Sequence, residues 1–293
     1  MTVVHHIPVC PFSQRLEILL ELKGQRDAVS FSAVDITRPR APELLALTGG
    51  SSALPVAVLA DGTVLQESLV ILRYLDSALG GPRVAQADPA RHALENLLVS
   101  HEGGFADAGY RLLMNRDPAC RAALTEALLA RYARLDAALR GCDAHAAQAH
   151  ASPWCWGAFG WAEAVYTPLF MRFWCLGYYE GFELPDEPRL ARVRAWQQAC
   201  LAHPAAQQVS REQVVKLYAD YAQGAGNGAV PPGRRVSSFS PAPHWSDRPW
   251  PSPDKYGASP SDAGLGLIGS LQSARAQSDS VAAELRLAAV FKN

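Results

Sequence analysis

Apolar and polar positions change their rhythm twice along the chain, and the two changes divide it into three parts. Residues 2 to about 79 alternate between runs suited to strands and runs suited to helices. "TVVHHI" is a short β-rich run, and a leucine-rich helix is expected from Pro11 to Lys23, with Gly24 where a helix C-cap belongs. "VSFSAVDI" predicts a second strand and "PELLALT" a short helix. "VAVLA", the turn Asp61-Gly62 and "TVLQ" predict a β-hairpin, because Asp-Gly supplies the positive φ that tight hairpins need. Ser68 opens a third helix, "SLVILRYLDSAL". The order β-α-β-α-β-β-α describes a small α/β domain closed by a hairpin.

Gly80-Gly81-Pro82 marks a boundary, giving domains of 1–80 and 81–223. From Asp88 to about Ala222 the periodic segments all predict helix and none strand. "PARHALENLLVSHEGGFADAGYRLL", "CRAALTEALLARYARLDAAL", "GWAEAVYTPLFMRFWCLGYY" and "PRLARVRAWQQACLAH" carry apolar residues at three- and four-residue spacing, so the second domain is all-helical. The fold class is therefore α/β plus all-α. From Gly224 glycine, proline and serine dominate, which predicts an extended or partly disordered tail over 224–293. Trp245, Trp250 and Tyr256 are its candidate anchors, and "SVAAELRLAAVF" near its end can form one short helix.

Composition narrows the function. The chain has 293 residues, 49% of them hydrophobic, with 27 Lys plus Arg against 28 Asp plus Glu. That size and apolar content suit two ordinary domains, and the balanced charge argues against nucleic acid or an anionic membrane as main partner. "MTVVHHIPVC" lacks the basic and apolar regions of a secretory signal, and no apolar run has the length of a membrane span. Six cysteines are widely spread with no CxxC, which predicts neither a disulfide framework nor a zinc site and makes a reducing cytoplasm the expected compartment. His145, His150 and Asp143 lie in an alanine-rich connection and make a poor metal site, so no metal is expected.

Cys10 is set apart by its place in the chain. It follows a strand and directly precedes Pro11, a residue suited to the first helical turn because its missing N–H is no loss there. The sulfur should face the free amides and positive end of the helix, an environment that favours the reactive thiolate. Cys120, Cys142, Cys175 and Cys200 have no activating neighbours, and Cys155 in "WCW" suits a packed aromatic loop. Three positions after Cys10 stands Ser13 rather than a second thiol, so a disulfide formed on Cys10 must be released by an external thiol. A place for such a thiol follows downstream. A cis bond at Leu54-Pro55 would free the Leu54 backbone N–H and C=O to pair with an extended peptide. Glu67 can accept from a ligand ammonium, and Ser68, as N-cap, presents a hydroxyl and backbone amides that suit a carboxylate.

"CPFSQR" with "LPV" and "QES" resembles the cytosolic glutathione transferases over residues 1 to about 222. The likeness is to the cysteine-containing branch, the omega-class enzymes and plant dehydroascorbate reductases, and more distantly to the chloride intracellular channel family. It implies a thioredoxin-like domain followed by a helical one, with glutathione as cofactor. Cys10 would form a mixed disulfide with it, beside Phe12; Leu54 and Pro55 would meet the cysteinyl backbone; Glu67 and Ser68 would hold the γ-glutamyl end. Omega enzymes place a lysine before the "PE" of the second helix for the glycyl carboxylate. Here Ala41-Pro42-Glu43 stands there, leaving Arg38 or Arg40 to reach, with Arg40 the candidate. "FGWAEAVYTPLFMRF" is similar to the transferase helix with a capping box and an internal proline, Gly160 and Glu163 taking the box positions.

With a cysteine at this place, the resemblance implies thiol-disulfide exchange through Cys10, as a thiol transferase or reductase. A glutathione-conjugating or thioether-cleaving transferase, with Cys10 assisting, and a non-enzymatic binding module are the alternatives. The second substrate, a small electrophile or disulfide, should sit between the domains, with Tyr110, Trp161, Tyr166 and Phe170 as candidate lining. Homodimers are the usual assembly in the family, though no residue here compels one.

Overall fold

The computed structural model describes residues 1–145 and 152–268. The helix suggested by "SVAAELRLAAVF", and His150, lie outside them.

Four short strands form one sheet in the order β2-β1-β3-β4, with β1 at Thr2–His6, β2 at Val29–Ala33, β3 at Val56–Val58 and β4 at Val64–Leu65. β1 runs parallel to β2, Val4 opposite Phe31, and antiparallel to β3, Val4 opposite Ala57. Val4, Val56 and Ala57 are fully buried, so the centre of the sheet is apolar and its edges are the two-residue β4 and the half-buried β2. The helices α1 (Pro11–Lys23), α2 (Pro42–Leu47) and α3 (Ser68–Ala78) complete this domain.

α1 is buried on more than one side because it packs against both α3 and α7. Leu16, Ile18, Leu19 and Leu20 are wholly enclosed, and so are Gln14 and Arg15, which must then find polar partners. The helix ends at Gly24, whose φ of 62° lets its N–H reach back to Glu21, while Gln25 N–H reaches Leu20.

The domain linker is pinned to the end of α1. Lys23 Nζ, almost fully buried, donates to the Asp76 carbonyl at 2.9 Å, the Asp76 carboxylate at 3.3 Å and the Pro82 carbonyl at 3.0 Å. Asp76 in turn accepts the backbone N–H groups of Val84 at 2.9 Å and Ala85 at 3.1 Å. Gly81, at φ 85°, passes so close to the Lys23 carbonyl that any Cβ would collide with it.

Helices fill the second part: α4 (Pro89–Val99), α5 (Glu102–Met114), α6 (Arg121–Asp143), α7 (Trp161–Arg172), α8 (Trp174–Glu180), α9 (Ala191–Ala202), α10 (Arg211–Leu217) and α11 (Ala219–Ala222). The first long periodic segment of the sequence is broken at Ser100-His101, and the third at Phe173. α7 is the central helix, and all twelve of its residues are buried. Its N-terminus keeps half of a capping box. The Glu163 carboxylate accepts the Gly160 N–H at 3.0 Å, but glycine has no side chain to return the bond. The same carboxylate accepts Cys155 N–H at 2.7 Å and the Trp196 indole at 2.8 Å, so it ties the "WCW" loop and α9 to the cap.

Beyond Gly224 the described chain has no α-helix, only one 3₁₀ turn at Trp245–Asp247, and it runs as an extended strap over the helical domain. Its anchors are mainly charges. Arg234 meets Asp220 at 3.1 Å and Asp262 at 2.7 Å, all three nearly or fully buried. Arg248 donates to the carbonyls of Ser238 and Pro243. Lys255, with no exposed surface, meets Glu180 at 2.6 Å and the Leu113 carbonyl at 2.6 Å. Of the aromatic anchors the sequence suggested, Tyr256 donates to Glu180 at 2.9 Å, whereas Trp250 is 48% exposed.

Candidate active site

The turn between β1 and α1 places Cys10. Ile7 accepts the Cys10 N–H at 2.9 Å, and Cys10 takes the N-cap position at φ −74°, ψ 130° with Pro11 next. Its own carbonyl accepts the first helical amides, from Ser13 and Gln14. The sulfur makes no side-chain cap bond and the residue is half-buried. Of the other cysteines, Cys120 is exposed and Cys142, Cys155, Cys175 and Cys200 are buried. Burial pushes the Cys175 and Cys200 thiols up, and the bond to Asp117 does so for Cys120. None of them reaches the cleft that holds Cys10.

That cleft encloses about 1000 Å³ between the two domains. On the N-terminal side it is lined by Cys10, Phe12, Arg40, Leu54, Pro55, Glu67 and Ser68, so the sequence candidates of that domain come together. The Leu54-Pro55 peptide is cis, and among the described residues neither the amide nor the carbonyl of Leu54 has a hydrogen-bond partner. The N-cap position of α3 falls to Glu67 rather than to Ser68, with a positive φ of 65°, an exposed side chain and no side-chain cap bond, so Ser68 is the first residue of the helix. Ser68 Oγ accepts from Arg15 at 3.2 Å, and Arg15 continues to Glu102 of α5 at 2.5 Å. Arg15 also lies over the Phe12 ring, 5.0 Å from its centre. Of the two cations considered for a glycyl carboxylate, Arg40 lines the cleft, while Arg38 is exposed and pairs with Asp35 at 3.3 Å.

The helical domain holds the cysteine's backbone directly. The Val9 carbonyl, one peptide before Cys10, accepts Arg172 Nε at 2.9 Å and Nη2 at 2.7 Å, and the Tyr218 hydroxyl at 3.2 Å. Arg172 is almost wholly buried and also donates to Gln14 at 2.5 Å.

The far wall of the cleft is aromatic. Tyr110 lines it as expected, but Trp161, Tyr166 and Phe170 do not. Those three are at most 1% exposed in the core, where Tyr166 donates to the Leu98 carbonyl at 2.8 Å and Phe170 packs edge-on against Phe105 and Trp196. α7 is buried along its whole length, and none of its rings reaches this cleft. Tyr218, Tyr221 and Phe239 take their place: Tyr218 and Tyr221 stack with centres 4.9 Å apart, and Phe239 packs against both. Burial holds the Tyr110 and Tyr218 phenols well above their ordinary range, so both stay protonated. His5 and His6, on β1, do not line the cleft. Burial lowers His6 to about 4, and it sits against the Phe31 ring.

A thioredoxin-like sheet with a cysteine at the head of its first helix, closed by an all-helical domain, is the architecture of the glutathione transferases. Residues 9–78 match the family description "Glutathione S-transferase, N-terminal domain". These residues carry a glutathione transferase N-terminal domain. It is 27% identical over 165 residues to Protein IN2-1 of Zea mays, covering 56% of this chain and 61% of that protein. It is 26% identical over 136 residues to glutathione S-transferase omega-1 of Sus scrofa, covering 46% and 55%. The chain therefore spans little more than half the length of these curated relatives. Among solved structures, glutathione transferase Omega 3C from Trametes versicolor superposes with a TM-score of 0.62 at 21% identity, over 75% of this chain and 89% of that one.

Proposed function

We propose that the protein is a glutathione-dependent thiol transferase in which Cys10 carries a mixed disulfide. The observation that supports this reading most is the meeting, in one cleft, of an N-capping thiol with the unpaired Leu54 peptide and the Glu67–Ser68 pair. An extended γ-glutamyl peptide suits that surface. Its backbone pairs with Leu54, its ammonium meets Glu67, its α-carboxylate meets the start of α3, and Arg40 is at hand for the glycyl carboxylate. The Cys10 thiolate attacks the glutathionyl sulfur of a disulfide, the S–S bond breaks, and the partner thiolate leaves with the electron pair. With Ser13 in place of a resolving thiol, an external thiolate must break the Cys10 adduct. Conjugation of electrophiles is less well served, since the Tyr218 hydroxyl is committed to the Val9 carbonyl.

A homodimer in a reducing cytoplasm completes the proposal. Six free cysteines suit that compartment, and Val70 of α3 and Leu97 of α4 expose apolar surface on neighbouring helices. Among the described residues no helix is long and apolar enough to cross a membrane.

Cys10→Ser tests the chemistry. It should abolish turnover on S-glutathionylated substrates and the glutathione adduct seen by mass spectrometry. A Cys10→Ser protein that keeps full turnover on an electrophile points instead to conjugation.

A further inference from the structure

We propose that residues 226–239 form the outer wall of the second-substrate subsite, and that Phe239 there selects substrates bearing a planar aromatic group on the reacting sulfur. The proposal rests on the reading of Cys10 as the reacting thiol.

The strap bridges both domains across the cleft. It leaves the helical domain at Gly224 and meets the N-terminal one at Gly228, where φ is 79° and a Cβ would collide with the carbonyl of Ile36, itself a cleft residue. Between these points Asn227 is clasped by one hydroxyl. Its N–H donates to the Tyr221 oxygen at 3.1 Å, and its Oδ1 accepts from the same group at 3.1 Å. The chain then returns to the helical domain, where Arg234 enters its buried site between Asp220 and Asp262.

Phe239 is fixed from both directions. Just before it, Asp220 accepts Ser237 Oγ at 2.9 Å and Ser238 N–H at 2.7 Å, and Ser238 Oγ donates to the Leu217 carbonyl. Just after it, Arg248 binds the Ser240 carbonyl. The ring lies 5.5 Å from Tyr218 and 5.8 Å from Tyr221, in edge-type contact with both, and it remains half-buried on the cleft side. Tyr218 touches the peptide before Cys10. A substituent on the attacked sulfur therefore enters a slot whose wall is aromatic, and whose outermost ring is held in place before the ligand arrives. Rings in such slots gain from edge and face contact that an aliphatic group of equal reach does not make.

The test needs no glutathione. In a Cys120→Ser background, which removes the exposed cysteine, the Cys10 thiolate attacks 4,4′-dithiodipyridine. The S–S bond breaks, a mixed disulfide forms and 4-thiopyridone leaves with the electron pair. Methyl methanethiosulfonate reacts with the same thiolate without a ring, releasing methanesulfinate. Phe239→Ala and Phe239→Leu should each raise the half-saturating concentration of the aromatic reagent about five-fold. Both should leave the rate with methyl methanethiosulfonate within about two-fold, and Phe239→Tyr should match the parent on both reagents. Equal changes for the two reagents, or none for the aromatic one, overturn the proposal. A Cys10 that reacts with neither reagent overturns it together with the reading of Cys10 as the reacting thiol. Loss of the glutathione site alone shows separately, as failure of S-methylglutathione to protect Cys10.

Discussion

Replacing Arg15 by methionine tests how the two domains share the site. The guanidinium is 1% exposed and the Glu102 side chain 10%, at a separation of 2.5 Å, with Ser68 Oγ as a second acceptor at 3.2 Å. Methionine keeps the apolar stem but leaves a carboxylate without its partner in a nearly dry place. Breaking one side of such a pair costs about 3–5 kcal/mol. The stacking of Arg15 on Phe12 adds about 0.5–1 kcal/mol. Glu102→Gln retains an acceptor and should cost only about 1–2 kcal/mol. The double replacement removes the orphaned charge as well, so it should be more stable than Arg15→Met alone by about 1–2 kcal/mol. Urea unfolding at pH 7 measures all four proteins. The same variants read the site: freed of Arg15, Ser68 and Phe12 loosen, so Arg15→Met should raise the KM for glutathione more than it lowers kcat. A double variant less stable than Arg15→Met, or costs that simply add, would show that Glu102 does not depend on Arg15 and refute the reasoning.

Other outcomes follow from single features. Glu67→Gln should raise the glutathione KM about ten-fold with little change in kcat, since one charge-assisted bond to the ligand ammonium is lost; an unchanged KM places the ammonium elsewhere. Burial lifts the Glu95 carboxyl from its usual 4.5 to about 8. Because its folded value lies above the unfolded one, its contribution is fullest below pH 4.5 and is lost as pH rises through 8. Glu95→Gln should therefore gain about 2–4 kcal/mol over the parent at pH 9, and thermal melts at pH 4 and pH 9 should show the gap closing on the acid side. Lys255→Met leaves Glu180 short of its buried cation and should cost about 2–3 kcal/mol. Limited trypsin digestion should then cut after Arg234, a site the intact strap shields.

The sequence exposes some of this molecule readily and hides the rest for physical reasons. Cys10, Leu54, Glu67 and Ser68 stand at the ends of strands and helices, where local turn and capping chemistry dictates which way backbone groups face. Reading them needs only neighbours in the chain. Tyr218 and Tyr221 are different, because periodicity marks which residues share a helix face but not which face meets another domain, and Phe239 lies on the strap, where there is no periodicity to read. Trp161, Tyr166 and Phe170 show the same limit from the other side: α7 is apolar on every face, so no stripe distinguishes core from ligand wall. The strap is hardest of all. Its glycine, proline and serine content signals a segment with little apolar surface to bury, yet Arg234, Arg248 and Lys255 hold it through partners such as Asp220 and Glu180 that composition cannot reveal.

The riveted linker has a bearing on how molecules come and go. Rotating one domain against the other would tear Lys23 from Pro82 and Asp76 from Val84 and Ala85, each bond made in a dry setting. Two-domain enzymes with a slack hinge can trade width for time, admitting bulky guests by yawning open. Here the vessel has a nearly constant gauge. The mouth is held as firmly, since the strap across it is pinned at Asn227 and Arg234, and a guest too thick for it is refused by geometry rather than by weak affinity.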